Sequence, residues 1–416
     1  IFFRLLTFLF ISFAELTLIN FTFDGGSKLV GPEIRVTIAE YSSKTGPYFD
    51  AAKKAFEKKY PGITVNNEVI PWANLKQKLT TDIAGDANAD LAIIGTRWLV
   101  DFVDQDLVEP LDNYMKDGTG ASFIPTFLSP SNMRGATYGL PIAASARALY
   151  YNKSLFSDAG IDNAPATWID VITSARKITQ AKSGVHGFCM QGESTETDVY
   201  FYYALWSFGG DILNENGESG LGSKSALLAA KMYKMMIDEK LTQPGVTTYT
   251  RNECQELFKE GRVAMTISLP FVASQIKEEK KDVKYGITAV PSGSRSATYG
   301  VTDSIIMFSN SKNKEAAWKF LNFIFTQEWR SKFTIGEGFL PVNTAVSQES
   351  YFVNNPDLKP FAKMLPSAFF APVIPGWSEI ADATSSALQK IYTNQEEPES
   401  ALATAEKEIN SILASN

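Results

Sequence analysis

Histidine and cysteine are scarce in this chain of 416 residues, and their scarcity excludes several kinds of site. His186 is the only histidine, so a multi-histidine metal site is excluded and one imidazole is available for any nucleophilic triad. Cys189 and Cys254 match neither a CxxC motif nor a zinc-ligand spacing. They are either buried thiols or, if the chain is exported, the two halves of one disulfide. We expect no metal and no cofactor.

An excess of basic residues is also missing. Lys and Arg number 39 against 46 Asp and Glu, which gives a net charge of −7 with the two signs interspersed. Nucleic acid binding needs a basic patch or stripe, so a nucleic acid partner is not expected.

Long apolar runs are absent beyond the start of the chain. The opening IFFRLLTFLFISF has Arg4 as its single charge and is shorter than the ~20 residues that a membrane helix needs. It has the character of the apolar core of a secretory signal. We interpret residues 1–31 as a signal-like leader, which predicts a periplasmic protein. A leader without a targeting role is the alternative.

Strand and helix patterns alternate along the remainder. IRVTIAEY and GITVNNEVI alternate apolar and polar residues, DLAIIG is continuously apolar, and a helical apolar spacing follows each of the first two. This order predicts helices packed on a largely parallel sheet, and the length predicts two domains.

Catalytic and nucleotide motifs are not evident. The chain has no GxSxG elbow and no GxGxxG after its first strand, and GESGLGSKS misses the phosphate-loop spacing. Glycosidases need two facing carboxylates, which sequence cannot pair. The acids Glu193, Glu196 and Asp198 are interpreted as part of a solvated loop.

Aromatic and polar side chains follow three predicted strands. In open α/β sheets, ligands collect outside the carboxyl ends of strands, so these residues are candidate ligand contacts. They are Glu40, Tyr41 and Ser42 after the first strand, Trp72 after the second, and Thr96, Arg97 and Trp98 after the third.

The segment PIAASARALYYNKSLF, residues 141–156, lies between two α/β-patterned blocks and has little bulk before Leu149. It resembles the first passage between lobes in the extracellular solute-binding proteins of ABC importers, specifically the maltose/oligosaccharide-binding family. GRVAMTISLPFVASQI, YGITAVP and YGVTDSIIMF resemble the second passage. AGIDNAPATW, WSFGGDIL and IPGWSEI are similar to segments of the second lobe.

The resemblance implies an α/β, two-lobed periplasmic binding protein-like fold of type II with three hinge crossings. The N-terminal lobe would comprise residues 32–143 with 297–337, and the C-terminal lobe residues 144–296 with 338–416. It also implies further ligand-binding residues in addition to Arg97 and Trp98. These are Ser145, Arg147, Gln191, Glu193, Phe271, Tyr299, Gly300 and Trp377.

The function that this resemblance implies is the capture of a di- or oligosaccharide, such as a trehalose- or maltose-like sugar, by hinge closure. A monomeric, non-enzymatic protein would deliver the sugar to ABC transporter membrane permease subunits. Two alternatives stay open: a secreted carbohydrate hydrolase, and a type II binder of another solute such as a polyamine or ferric ion.

Overall fold

A computed structural model describes residues 31–193 and 196–415, so all but the last residue of the predicted leader lies outside the described residues. The strands are β1 Glu33–Glu40, β2 Thr64–Pro71, β3 Leu91–Gly95, β4 Asn132–Met133, β5 Ala136–Thr137, β6 Leu140–Ser145, β7 Ala148–Asn152, β8 Met265–Ser268, β9 Tyr285–Thr288, β10 Thr298–Tyr299, β11 Val301–Met307 and β12 Ala368–Phe369.

The helices carry the labels α1 to α17 in chain order. They are α1 Thr45–Lys59, α2 Trp72–Ala84, α3 Leu99–Asp104, α4 Pro125–Leu128, α5 Lys153–Asp158, α6 Trp168–Ala181, α7 Thr197–Ser207, α8 Lys224–Asp238, α9 Arg251–Lys259, α10 Phe271–Glu278, α11 Lys314–Ile324, α12 Gln327–Glu337, α13 Thr344–Ser347, α14 Ser350–Asn354, α15 Lys359–Met364, α16 Trp377–Tyr392 and α17 Pro398–Ser415. Across the described part of the chain, none of these helices is long and apolar enough to cross a membrane.

The first lobe is built on a five-stranded sheet of order β2-β1-β3-β11-β6. β1 pairs in parallel with β2 and β3, whereas β11 runs antiparallel to both β3 and β6. The expectation of a largely parallel sheet is therefore wrong for half of its pairings. β11 enters the sheet from the opposite direction because the chain reaches it from the second lobe.

The second lobe is built on a three-stranded sheet of order β8-β7-β9, in which both pairings are antiparallel. Helices α6, α7, α8 and α16 pack with it in a core that includes Trp206, Tyr233 and Leu388. Around the first sheet, the core includes Phe49, Phe56 and other side chains of α1, α11 and α12. The apolar spacing after the first strand thus identified the buried face of α1, where Phe49, Ala52 and Phe56 are buried.

Helix starts follow the capping pairs in the sequence. The Thr167 side chain accepts a hydrogen bond from the backbone of Asp170, whose carboxylate accepts one from the Thr167 backbone. Thr250 and Glu253 make the same reciprocal pair at the start of α9. Each pair satisfies backbone N–H groups that the first helical turn leaves without partners.

Three passages join the lobes. β6 and β7 are separated only by Ala146 and Arg147, the chain returns between β9 and β11, and residues 338–376 connect α12 to α16. The first two passages lie side by side: the Thr298 hydroxyl accepts a hydrogen bond from the Arg147 backbone N–H at 3.0 Å and donates one to the Arg147 carbonyl at 2.9 Å. The predicted lobe boundaries fall at or near these passages and stay a prediction.

Cys189 and Cys254 form a disulfide with a Cα–Cα distance of 5.7 Å. The sequence left this pairing open against two buried thiols. The bridge links the segment between α6 and α7 to α9, which begins at Arg251 beside the cleft between the lobes.

Candidate functional site

Three aromatic rings at the carboxyl ends of β1, β2 and β3 form one stack. The Tyr41 and Trp72 ring centroids lie 6.1 Å apart with 29° between the planes. Trp72 and Trp98 follow at 5.4 Å and 26°. The parallel pairing of the three strands brings these positions together, because their carboxyl ends meet at one edge of the sheet.

The stack lies at the junction of three cavities between the lobes, and Trp72 lines all three. The inner cavity, of about 40 Å³, lies against Arg147, Asp303 and Tyr299. The helix cavity, of about 430 Å³, lies between α2 and α16. The loop cavity, of about 390 Å³, lies between the end of β1 and the start of α9. The two larger volumes fall within the ~300–1,000 Å³ typical of ligand pockets.

Charged side chains from both lobes meet beside the stack. Arg97 follows β3, and its Nη1 atom lies 3.5 Å from Oδ2 of Asp198 in α7. Arg251 Nη1 donates to both carboxylate oxygens of Glu196, at 3.1 and 3.0 Å, and Arg147 Nη2 lies 3.8 Å from Glu196 Oε1. Asp198 and Arg147 are each 1% exposed, so these charges lie almost entirely out of water.

Burial and charge divide the carboxylates of this cluster. Burial raises the pKa of Asp198 to about 6 against the opposing effect of Arg97, and it raises the pKa of Asp303 to about 7. Burial opposes ionisation of Glu196 as well, but Arg251 and Arg147 outweigh it and lower its pKa. The cluster therefore holds one firmly ionised carboxylate and two that titrate near neutral pH.

Several buried polar atoms at the cavities have no hydrogen-bond partner among the described residues. They include Trp72 Nε1, Gln191 Oε1, Arg147 Nε, Thr302 Oγ1 and Trp377 Nε1. Buried polar atoms are nearly always paired, and leaving one unpaired costs ~1–3 kcal/mol. Unpaired donors and acceptors thus belong to residues that line the cavities, as a ligand with many hydroxyl groups requires.

Most of the predicted ligand residues line the three cavities. The inner cavity is lined by Trp72, Thr96, Arg97, Arg147, Tyr299 and Gly300, the helix cavity by Trp72, Arg97, Trp98 and Trp377, and the loop cavity by Glu40, Tyr41, Ser42, Trp72, Gln191 and Glu193.

Two predicted residues lie elsewhere. The Phe271 ring is buried against Phe339, with centroids 6.0 Å apart, and lines none of the three cavities. The Ser145 hydroxyl accepts a hydrogen bond from Arg147 Nη1 at 2.8 Å and so positions that guanidinium group. Trp377 does line the helix cavity, yet its side chain is fully buried and packs on Tyr202, so it also holds the second core.

The sequence interpretation missed the buried acids. Glu196 and Asp198 were interpreted as a solvated loop, which is wrong, because they are 8% and 1% exposed. Their partners lie far away in the sequence: Arg251 is 55 residues from Glu196 and Arg97 is 101 residues from Asp198. Asp303 was missed as well, although it lies within the strand pattern GVTDSIIMF as an acid among apolar residues.

Two α/β lobes with an aromatic and polar cleft between them define a hinged binding protein. The chain belongs to the bacterial extracellular solute-binding protein family, whose sequence model matches residues 39–330. This confirms the family resemblance and the type II fold predicted from the sequence.

Relatives and solved structures agree with this assignment. The chain is 59% identical to a protein of Brucella abortus (strain 2308), provisionally named a binding protein, over 92% of this chain and 93% of that one. A solute-binding protein of Thermotoga lettingae bound to α-D-tagatose superimposes with a TM-score of 0.86 at 25% identity, covering 92% of this chain and 100% of that one. Maltose-bound MalE3 of T. maritima superimposes with a TM-score of 0.83, at the same identity and coverages.

Proposed function

We propose that this protein is the substrate-binding component of an ABC-type sugar importer. It captures a di- or oligosaccharide between its lobes and delivers it to membrane permease subunits. The observation that carries this proposal is the Tyr41–Trp72–Trp98 stack, which lies beside buried charges at the junction of three cleft cavities. The tagatose and maltose bound by the two structural relatives support a sugar as the ligand.

The chemistry of the cleft suits a sugar. A pyranose has apolar C–H faces, which aromatic planes cover, and buried aromatic contacts contribute ~0.5–1.5 kcal/mol beyond their area. Its rim of hydroxyls needs both donors and acceptors, which Arg97, Gln191 and Glu193 supply. Such a rim also selects among sugars, because a missing hydroxyl leaves a buried protein group unpaired.

Binding is coupled to lobe closure. A ligand between α2 and α16 touches both lobes only when they approach each other, so it binds the closed arrangement more tightly and raises its population. The permease then recognises the closed arrangement. This role places the protein in the periplasm as a monomer that does not transform its ligand.

Calorimetric titration with trehalose, maltose, maltotriose, glucose, tagatose and mannitol tests the proposal. We expect at least one to bind with a Kd in the micromolar range or below and to raise the melting temperature by mass action. The variant Arg134→Ala should bind the same compounds with the affinity of the wild type, because Arg134 lies on the surface, paired with Asp104. If none of these six compounds binds, the proposal is refuted.

Two assays separate the alternatives. Release of reducing ends from disaccharides, lost in a variant of one cleft carboxylate, would favour the hydrolase. Titration with spermidine tests the polyamine binder. Titration with ferric ion tests the ferric-ion binder; within the described residues, no group of three or more His, Cys, Asp or Glu side chains is arranged to hold a metal ion.

A further inference from the structure

The inner cavity is closed on one side by a short segment before α16. The cavity is lined by Phe370, Ala371, Pro372 and Val373 of this segment and also by Arg147 and Asp303. This segment follows β12, which pairs in parallel with β10 through Thr298 with Ala368 and Tyr299 with Phe369. The Gly300 backbone N–H donates to the Phe369 carbonyl at 2.8 Å. The closing segment is therefore fastened to the second passage between the lobes.

Phe369 and Phe370 have different surroundings. The Phe369 ring stacks on Trp206 with centroids 5.1 Å apart and 17° between the planes, and the Arg295 guanidinium lies 4.7 Å from its centroid. Side chains alternate between faces along an extended segment, so Phe370 points away from that anchor. The Phe369 side chain therefore anchors the segment to Trp206, whereas the Phe370 side chain lines the inner cavity.

Gly300 provides the seat for the Phe370 ring. A Cβ atom at Gly300 would lie 2.5 Å from Phe370 Cζ, a separation that real Cβ atoms do not show. The ring is thus packed directly on the backbone of the second passage. The predicted contact of Gly300 with ligand stays a prediction, and its missing side chain also allows Phe370 to approach.

The inner cavity is also lined by buried polar residues. Arg147 and Thr302 are 1% and 4% exposed, and Arg147 Nε and Thr302 Oγ1 have no hydrogen-bond partner among the described residues. Both residues line the inner cavity, as does Trp72 of the aromatic stack. The inner cavity of about 40 Å³ is therefore bordered both by the aromatic stack, through Trp72, and by polar residues able to bind a hydroxyl group.

We propose that Phe370 is a specificity-determining residue, whose ring, seated on Gly300, closes the inner cavity and limits the length of the ligand. The terminal hydroxyl or hydroxymethyl group of the sugar enters this cavity, and Phe370 blocks continuation by another ring or carbon unit. This inference rests on the proposed sugar-binding function.

The variant Phe370→Ala tests the inference by calorimetric titration with two homologous series. The first is glucose, maltose, maltotriose and maltotetraose; the second is ribitol and mannitol. In the wild type, we expect each series to contain one member that binds well and a next longer member whose Kd is at least tenfold higher. We call the Kd of the longer member divided by that of the shorter one the length ratio. In Phe370→Ala the length ratio should fall to threefold or less. Gly300→Ala should shift the ratio in the same direction, because its methyl group displaces the ring.

Two controls keep the outcomes distinct. Tyr351→Ala removes an aromatic side chain that is 37% exposed and outside the three cleft cavities, and it should leave the ratio unchanged. Thermal unfolding followed by circular dichroism reports whether each variant is folded, and Phe370→Leu replaces Phe370→Ala if the latter is not. If the wild type binds sugars but the ratio in the folded variant stays within twofold of the wild-type ratio, the inference is overturned and the proposed function stands. If the wild type binds no sugar, both are overturned.

Discussion

Arg97 and Asp198 pair across the cleft at 3.5 Å, the first following β3 and the second in α7. Asp198 is 1% exposed, so the pair lies where water screens it little. Ser378 adds a second link between the lobes by donating to Asp101 Oδ2 at 2.9 Å. The lobes therefore meet through polar contacts, which the proposed closure of the cleft would form and its opening would break.

Arg97→Ala should weaken sugar binding at least tenfold. The change removes a hydrogen-bond donor from two of the cavities and leaves the buried Asp198 carboxylate without its cross-cleft partner, a loss that typically costs 2–5 kcal/mol. Calorimetric titration measures the affinity, with Arg134→Ala as the surface control. An affinity within twofold of the wild type would show that the cluster does not serve binding.

Trp72→Ala should also weaken binding at least tenfold, and Trp72→Phe by less. Trp72 lines all three cavities and stacks on both Tyr41 and Trp98, so its removal opens the centre of the aromatic surface. Its side chain is only partly buried, so the fold should tolerate the change. Ile169→Ala, at a residue 75% exposed, is the matched control for loss of an apolar side chain. Equal affinities for Trp72→Ala and the control would contradict the prediction.

Replacing both Cys189 and Cys254 by alanine should lower the free energy of unfolding by about 4 kcal/mol. The bridge joins residues 65 apart in sequence, and chain entropy in the unfolded state sets this magnitude. Urea unfolding with and without a reducing agent measures it. The wild type should lose stability on reduction, whereas the double variant should not respond. A difference below about 1 kcal/mol between the wild type and the double variant, both measured without reducing agent, would refute this account.

Asp303→Asn should change the pH dependence of stability. Burial raises the pKa of Asp303 from 3.8 to about 7, so in that interval the unfolded chain binds fewer protons than the folded protein. Wild-type stability therefore falls as pH rises from about 4 to about 7, by up to about 4 kcal/mol from this group at 1.36 kcal/mol per pKa unit. The asparagine variant lacks this loss.

Urea unfolding from pH 4 to pH 8 measures the effect of Asp303. The stability of Asp303→Asn relative to the wild type should increase through this range and level off above pH 7. Asp158→Asn, at an exposed acid, serves as the control. A difference that does not vary with pH would show that Asp303 ionises with little cost in the folded protein.

Local patterns in the sequence predicted the elements well. Patterns of apolar spacing depend on residues within a few positions of each other, and they located α1 and α2. They also placed Tyr41, Trp72 and Trp98 at strand ends, from which their approach in space follows. The antiparallel course of β11 was not predictable, because it depends on how the chain returns from the second lobe.

The charged part of the site was beyond the reach of sequence patterns. Whether Glu196 is solvated or buried depends on Arg251 and Arg147, neither of which is close to it in sequence. The disulfide was open for the same reason, since it depends on a Cα–Cα distance of 5.7 Å between residues 65 apart. The role of Phe370 depends on its seat on Gly300, which only the folded chain reveals.

The reciprocal hydrogen bonds between Arg147 and Thr298 fasten two neighbouring passages together at one end of the cleft. Such a junction permits one lobe to swing about an axis through it but restrains the lobes from sliding apart. Atoms near the axis then travel a short arc, and atoms far from it travel a long one. The pocket bordered by Arg147 should hence keep its shape during the swing, while the gap between α2 and α16 widens and narrows. A sugar that enters the cleft would contact the fixed pocket beside Arg147 first and the moving lobe afterwards.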